Sequence, residues 1–310
     1  MAEDSWLQRE PMRGLIDEVI AAAVRRYRVE EAEASELVRE AFAKDRELRR
    51  AVESGPSAER VARTRAFKQA AASARRSIYY RLRRYKRKGA ETDSAIGPLI
   101  GRLERASSPQ EIRAVALEIA RRHVSTSERL ADLDHFHRQL FGLIGKAGTV
   151  LDVGSGVHPL VFPFGGLGRG IQRYVAADKD PVAIAAVNAY SKARADGRLV
   201  GVVWDIQSGW ESLLQVCTPA RFDVALLFKL VPVLHRQDRR LLEGLARTPA
   251  ELWVVTGSKV SMTKRRSIER RERAVLRRFC EMAGRQVIGE FATAEEFGMV
   301  LRQARPGQPA

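Results

Sequence analysis

The sequence predicts an α/β chain: a parallel, helix-covered sheet in its second half and an all-helical, basic region in its first. Three observations predict this. Up to about residue 122 apolar residues recur at helical spacing with almost no strand signal. Beyond about residue 148 short apolar runs alternate with helical stretches, the order of strand–helix–strand units. Residues 60–88 carry twelve Lys and Arg and no Asp or Glu, which marks the helical part as the cationic one. The expected domains are 1–122, helical and basic, and 123–310, built on the sheet.

In chain order, Leu15, Val19, Ile20 and Val24 predict one amphipathic helix, and Leu37, Val38, Phe42 and Leu48 predict another. Ser54-Gly55-Pro56-Ser57 breaks the pattern, and Ser57 can cap the helix that follows. Lys88-Gly89-Ala90 ends the basic run, Ser107-Ser108-Pro109 starts a further helix, and Ser125 or Thr126 caps the next. Residues 149–153 (TVLDV) read as a buried strand running into the turn Gly154-Ser155-Gly156. Residues 174–177 form a second strand ending at Asp178, and Asp180-Pro181 opens a helix to about Ala195. Residues 199–204 form a third strand ending at Asp205, 222–228 a fourth and 252–256 a fifth. A basic helix over about 265–282 follows, and 286–291 with 297–301 can close the sheet as a hairpin. Strands alternating with helices imply a parallel sheet covered on both faces.

Composition narrows the function. With 45% hydrophobic and 30% charged residues, 310 residues supply one or two cores and are not a mainly disordered chain. A net charge of +16 points to a polyanionic partner, nucleic acid first and an acidic membrane surface second. No apolar run reaches about 18 residues, so no transmembrane helix is expected. The start, MAEDSWLQRE, has no apolar stretch and predicts no secretory signal. Two distant cysteines, Cys217 and Cys280, fit a reducing cytoplasm and exclude a disulfide scaffold or a Cys-rich zinc site. His135 and His137 stand two apart on a predicted helix and face different ways, so no metal site is expected. Trp204, Trp210 and Trp253 read as core residues rather than base clamps.

Ligands of an open parallel sheet bind outside the carboxyl ends of the strands, near the switch in strand order. Three features fall at such ends. Gly154 and Gly156 let the backbone approach a ligand; Asp178 can accept from ribose hydroxyls; Asp205 can accept from an adenine amino group. Either acid alone reads as a strand-end turn residue, but the three in register point to a nucleoside-type ligand. The third glycine of a dinucleotide fingerprint is missing, since the loop continues Val157-His158-Pro159. A ligand with ribose and adenine but no pyrophosphate fits better than a dehydrogenase cofactor, and S-adenosylmethionine is the common one.

Further motifs carry a resemblance. They are His123-Val124-Ser125-Thr126-Ser127-Glu128-Arg129-Leu130, then Val150 to Gly156 with Pro159-Leu160, and Leu227-Phe228-Lys229-Leu230-Val231-Pro232 with Leu234 and Gln237. Ala62-Arg63-Thr64-Arg65 matches more weakly. Over about residues 60–260 the chain resembles the aminoglycoside-resistance 16S rRNA (guanine-N7) methyltransferases. The resemblance implies a Rossmann-like class I methyltransferase sheet of about seven strands and S-adenosyl-L-methionine as cofactor. It implies that Arg129 holds the methionine carboxylate, that Gly154 and Gly156 lie under the cofactor, and that Asp178 binds the ribose. Asp205 with Ile206 would serve the adenine side, and Gln237 would contribute a polar group from the following helix. Phe228 and Lys229 would line the methyl-transfer pocket as the catalytic pair. The implied partner is 16S rRNA in the 30S subunit, bound by a monomer.

The basic run is the main candidate for RNA binding. Arg63, Arg65, Lys68, Arg75, Arg76, Arg81, Arg83, Arg84, Lys86 and Lys88 interleave with Tyr79, Tyr80 and Tyr85. Solvated helices normally mix charge signs for i,i+4 pairing, and this one does not. A second stretch, 259–278, holds nine Lys and Arg, among them Lys259, Lys264, Arg265 and Arg266, against Glu269 and Glu272. Two rivals stay open: an adenine-N1 rRNA methyltransferase, and an RNA-binding protein that keeps the fold without transfer.

Overall fold

A computed structural model describes residues 5–8, 10–27, 31–43, 45–53, 55, 57–85, 92–260 and 267–304. The chain divides into two compact units, Met1–Glu91 and Thr92–Ala310.

The first unit is helical: Met12–Tyr27, Glu31–Ala43, Arg46–Glu53, Ala58–Arg63 and Arg65–Tyr85 follow a short turn at Ser5–Gln8. Ile16, Val38, Phe42, Leu48, Phe67 and Ile78 are buried together in its core. The stretch from Leu37 to Leu48, expected as one helix, is two. Asp45 ends the first and starts the second, its Oδ1 accepting from the Leu48 N–H at 3.0 Å. The basic run is likewise broken at Thr64, which is extended. Its hydroxyl accepts from the Phe67 N–H at 3.1 Å and restarts the chain as a long helix. Ser57 stands at the helix start it was expected to cap, but its side chain makes no capping bond.

The compositional change at residue 122 is not where the compact units part. Helices Thr92–Arg105 and Pro109–Arg122 belong to the second unit. Their Leu99, Leu103, Val115 and Ile119 share a core with Val150, Tyr174, Val224 and Val254 of the sheet. An amphipathic pattern shows that a helix buries one face, not which core receives it. Ser108 caps the second of these helices as expected, accepting from the Glu111 N–H at 3.2 Å with Pro109 behind it. The next helix, Val124–Arg129, starts on His123 rather than on Ser125 or Thr126. Those two hydroxyls face the His123 ring instead, at 3.4 and 3.1 Å from Nδ1.

The sheet has seven strands: β1 (Thr149–Val153), β2 (Arg173–Asp178), β3 (Leu199–Val203), β4 (Phe222–Leu227), β5 (Ala250–Ser258), β6 (Arg285–Ala292) and β7 (Glu296–Gln303). Their order is β3-β2-β1-β4-β5-β7-β6. β1 to β5 pair in parallel, and β7 runs antiparallel between β5 and β6, which is the expected terminal hairpin. Alternate residues feed two cores, Val150, Tyr174 and Val224 on one face and Leu151, Val175 and Ala225 on the other. Both faces are covered, which is why the strands read as unbroken apolar runs. Trp204, Trp210 and Trp253 are core residues. The order reverses between β1 and β4, so a switch point opens above their carboxyl ends.

One polar chain crosses the first core. Asp152 on β1 accepts from the Tyr174 hydroxyl at 2.6 Å and from His158 Nδ1 at 3.1 Å. His158 Nε2 then lies 3.4 Å from His137 Nε2. This assigns the His158 proton to Nδ1 and leaves Nε2 to accept from His137. Burial pushes both imidazoles down, His137 to about 2, with Asp152 partly opposing the shift at His158. Both rings are therefore neutral in the fold and charged in the unfolded chain below about pH 6.5. Their contribution is full above that value and is lost as pH falls from it toward the folded pKa, with a slope up to about 1.4 kcal/mol per pH unit for each ring. Urea unfolding between about pH 7.5 and 5.5 should show falling stability, and His137→Gln should flatten the slope. Equal slopes in the two proteins would contradict a neutral buried pair.

Candidate functional site

Above the carboxyl end of β1 the chain turns through Gly154 and Gly156 at φ +66° and +51°. L side chains rarely adopt that conformation, so the turn needs glycine at both positions. Gly156 has a second reason: a Cβ there would lie 2.4 Å from the His123 ring. The turn is tied to β2 by the Gly154 N–H donating to the Ala177 carbonyl at 2.8 Å and the Gly156 N–H donating to Asp178 Oδ2 at 2.8 Å. Asp178 also takes the Asp180 N–H, at 2.9 Å on Oδ1. One bond on each oxygen leaves a carboxylate further acceptor capacity.

At the neighbouring end of β3, Asp205 caps a short turn, with Oδ1 accepting from the Gln207 N–H at 2.9 Å. Ile206 follows it, half-buried beside Gly244. The structure thus gathers Gly154, Gly156, Asp178, Asp205 and Ile206 along three adjacent strand ends. Gln237 stands elsewhere in the chain order of the site. That residue closes the helix Leu230–Gln237, whose other end carries Lys229, about 12 Å away at 1.5 Å per residue.

The second half of the site is a charged and aromatic corner where β4 ends. Lys229 has φ +56°, uncommon for a non-glycine residue, and its N–H donates to Thr256 Oγ1 at 2.9 Å. Its ammonium donates to Glu128 Oε2 at 2.8 Å and lies 3.6 Å from Glu296 Oε2. Arg129 forks onto Glu296, with Nε to Oε2 at 3.0 Å and Nη2 to Oε1 at 2.8 Å. The guanidinium lies against the rings of Phe136 and Phe228, 4.5 and 4.6 Å from their centroids, and the two rings pack edge-on against each other. Burial alone would raise Glu296, but the charges of Arg129 and Lys229, together with hydrogen bonds from Arg129 and Thr256, outweigh it and hold the carboxyl below its ordinary range. Arg129 Nη1 makes no hydrogen bond among the described residues and remains available to an anion. Phe228 is further braced edge-on by His158, with ring centroids 5.0 Å apart.

Sequence reasoning missed Glu296 and did not single out Glu128. Glu128 stood within a quoted motif; Glu296 carried no signal, because its partner is 167 residues away.

The basic residues fall in several places. Arg63, Arg65 and Lys68 line an open cleft of about 1070 Å³ in the first unit, with Asp45, Glu47 and Gln69 also on its walls. Arg75 is exposed on the same long helix. The side chains of Arg76, Arg81, Arg83 and Arg84 lie outside the described set, as do residues Lys86, Lys88, Lys264, Arg265 and Arg266. Lys259 turns inward, and its ammonium donates to the Thr293 carbonyl at 2.6 Å. Among the described residues no three His, Cys, Asp or Glu are grouped to hold a metal, and no helix is long and apolar enough to cross a membrane.

The 16S rRNA (guanine(1405)-N(7))-methyltransferase of Micromonospora olivasterospora is 25% identical over 222 residues, 70% of this chain and 71% of that protein. The protein of the same name from Micromonospora rosea is 32% identical over 117 residues, and the match spans 38% of this chain and 39% of that one. Among solved structures, the 16S rRNA methyltransferase RmtF, in complex with S-adenosyl-L-homocysteine, has a TM-score of 0.56 at 20% identity, covering 96% of this chain and 99% of that chain. The 16S rRNA methylase RmtB gives 0.51 at 19%, covering 93% and 98%. These likenesses carry the fold: an N-terminal helical bundle followed by a Rossmann-like class I methyltransferase sheet. A family model described as "Ribosomal RNA methyltransferase (FmrO)" matches residues 42–286. That span takes in the basic helices, the glycine turn and the Lys229 corner alike, and the chain belongs to the ribosomal RNA methyltransferase (FmrO) family.

Proposed function

We propose that the protein is an S-adenosyl-L-methionine-dependent methyltransferase acting on N7 of a guanine in the decoding region of 16S rRNA, with the 30S subunit as substrate and aminoglycoside resistance as consequence. One observation carries the reading. In a chain of this family, the glycine turn, two strand-end acids and an aromatic–lysine corner meet at the carboxyl ends of four adjacent strands.

The residues present fit the cofactor. Gly154 is exposed at the turn, so backbone can lie directly under a ligand. Asp178 and Asp205 keep acceptor capacity for the ribose and the adenine amino group. Arg129 Nη1 can receive the methionine carboxylate while the rest of the guanidinium stays on Glu296. When bound, S-adenosylmethionine supplies a methyl group activated on a sulfonium. Guanine N7 has an in-plane lone pair and is nucleophilic at neutral pH, so no residue of this chain has to remove a proton. The protein's task is to hold the unstacked base in line, and Phe228 and Lys229 are placed for it, one as an apolar wall and one facing O6. The two neutral buried histidines take no part in proton transfer.

The corner supports guanine over adenine. An adenine-N1 enzyme clamps its base between two aromatics, whereas Phe228 here stacks on the Arg129 guanidinium. The Arg63–Arg65–Lys68 cleft, with Arg75, serves as the RNA-docking surface, where cations contact phosphates and fix register. Lys259 is engaged within its own unit and contributes less.

Incubating 30S subunits with the enzyme and labelled cofactor, then mapping by borohydride–aniline cleavage, should give a strand break at one decoding-region guanine. Unlabelled subunits would refute the reading. Gly156→Ala should weaken cofactor binding in calorimetric titration by about 5- to 150-fold, since strain of about 1–3 kcal/mol falls on the turn. A normal affinity would detach the turn from the cofactor. Replacing Arg63, Arg65 and Lys68 together by Ala should lower the salt slope of subunit binding by about 2 to 3. An unchanged slope would remove the cleft from the docking surface.

A further inference from the structure

The Lys229–Glu128 pair sits in the corner expected to receive the base, and neither partner is fully buried. Their side chains are 12% and 24% exposed. Lys229 is pinned from below by its left-handed backbone and its N–H bond to Thr256. Glu128 Oε2 takes the ammonium at 2.8 Å, and Oε1 accepts no bond among the described residues. The corner therefore presents a donor-only group beside an acceptor-only group with spare capacity.

Between the two purines, that order matches guanine. The Watson–Crick edge of guanine runs acceptor, donor, donor: O6, N1–H and the N2 amino group. Adenine runs the other way, with a donor amino group beside the bare N1 acceptor, and would set donor against ammonium and lone pair against carboxylate. Enzymes that act on an unstacked base read this edge. A lysine on O6 also leaves N7, the neighbouring atom of the opposite edge, open to the methyl group.

We propose that Glu128, oriented by Lys229, selects guanine by accepting the N1–H and the N2 amino group of the unstacked base. The inference rests on the methyltransferase reading above and names the residue that decides between its two candidate bases. Charge flow adds to selectivity. Methylation at N7 leaves the purine positively charged and makes N1–H a stronger donor, so the contact with Glu128 tightens as the reaction proceeds. A contact stronger in the transition state than in the ground state raises turnover as well as affinity.

The experiment compares 30S subunits carrying guanosine or inosine at the methylated position. Inosine keeps N7, O6 and N1–H and lacks only the N2 amino group. Wild-type kcat/KM should favour guanosine by about tenfold, the value of one lost contact to a charged acceptor. In Glu128→Ala that ratio should fall to near one, with S-adenosyl-homocysteine affinity by calorimetry unchanged. Glu128→Gln, which keeps the shape and one acceptor, should lower guanosine turnover and compress the ratio, and it decides the matter where the alanine variant does not fold. Variants that keep the wild-type ratio, or a wild-type enzyme indifferent to inosine, would overturn the proposal. Failure of the wild-type enzyme to label guanosine subunits at all would instead remove the underlying reading, and this inference with it.

Discussion

A buried ion pair sets the terms for the site. Arg129 and Glu296 have side chains 3% and 2% exposed, and each is an intolerable charge without the other. Removing one partner of such a pair typically costs about 3–5 kcal/mol, because the remaining charge stays desolvated. The two residues are 167 positions apart, so the fork can form only when the helix Val124–Arg129 and the antiparallel strand β7 are both in place. Its geometry then fixes everything nearby. Phe136 and Phe228, packed edge-on against each other, both bear on the guanidinium, and Lys229 is drawn toward Glu128 and Glu296. The pair does little for net stability compared with an apolar substitute, but an apolar substitute would place no guanidinium N–H groups at this corner.

The other half of the site depends on backbone rather than charge. The glycine turn has no side chains to contribute, and its position is set by N–H groups donating to the Ala177 carbonyl and to Asp178. Asp178 is thus a structural acceptor for the turn before it is anything else. Its oxygens can accept further bonds, since a carboxylate oxygen accepts more than one. His123 completes the arrangement by filling the space a Cβ at Gly156 would need.

Much of this was legible in the sequence, and the reasons differ by level. Strand positions were legible because strands buried on both faces are short unbroken apolar runs, and β1 falls where TVLDV places it. The glycine turn, Asp178 and Asp205 were legible as neighbours because each stands at the carboxyl end of an adjacent strand. Helices 92–122 were legible as helices but not as part of the sheet's unit, since periodicity carries no address. The cap at His123 was hidden because Ser125 and Thr126, better caps by type, are spent on its ring. Glu296 was hidden for a deeper reason: a single acid at the start of a strand looks like turn chemistry until a distant arginine is brought to it.

The division of labour in the proposed reading follows from the same physics. Contacts to phosphate supply affinity and orientation but no sequence information, and they tolerate small displacements. A set of exposed arginines and lysines on helices of one compact unit suits that task, and losing one changes affinity only modestly. Selecting a base requires donors and acceptors fixed to within a fraction of an ångström, which exposed cations cannot provide. The corner at Lys229 has that rigidity because a left-handed backbone, a threonine hydroxyl and two carboxylates all constrain one side chain. Specificity is therefore expected where charge is most constrained, and affinity where it is most abundant.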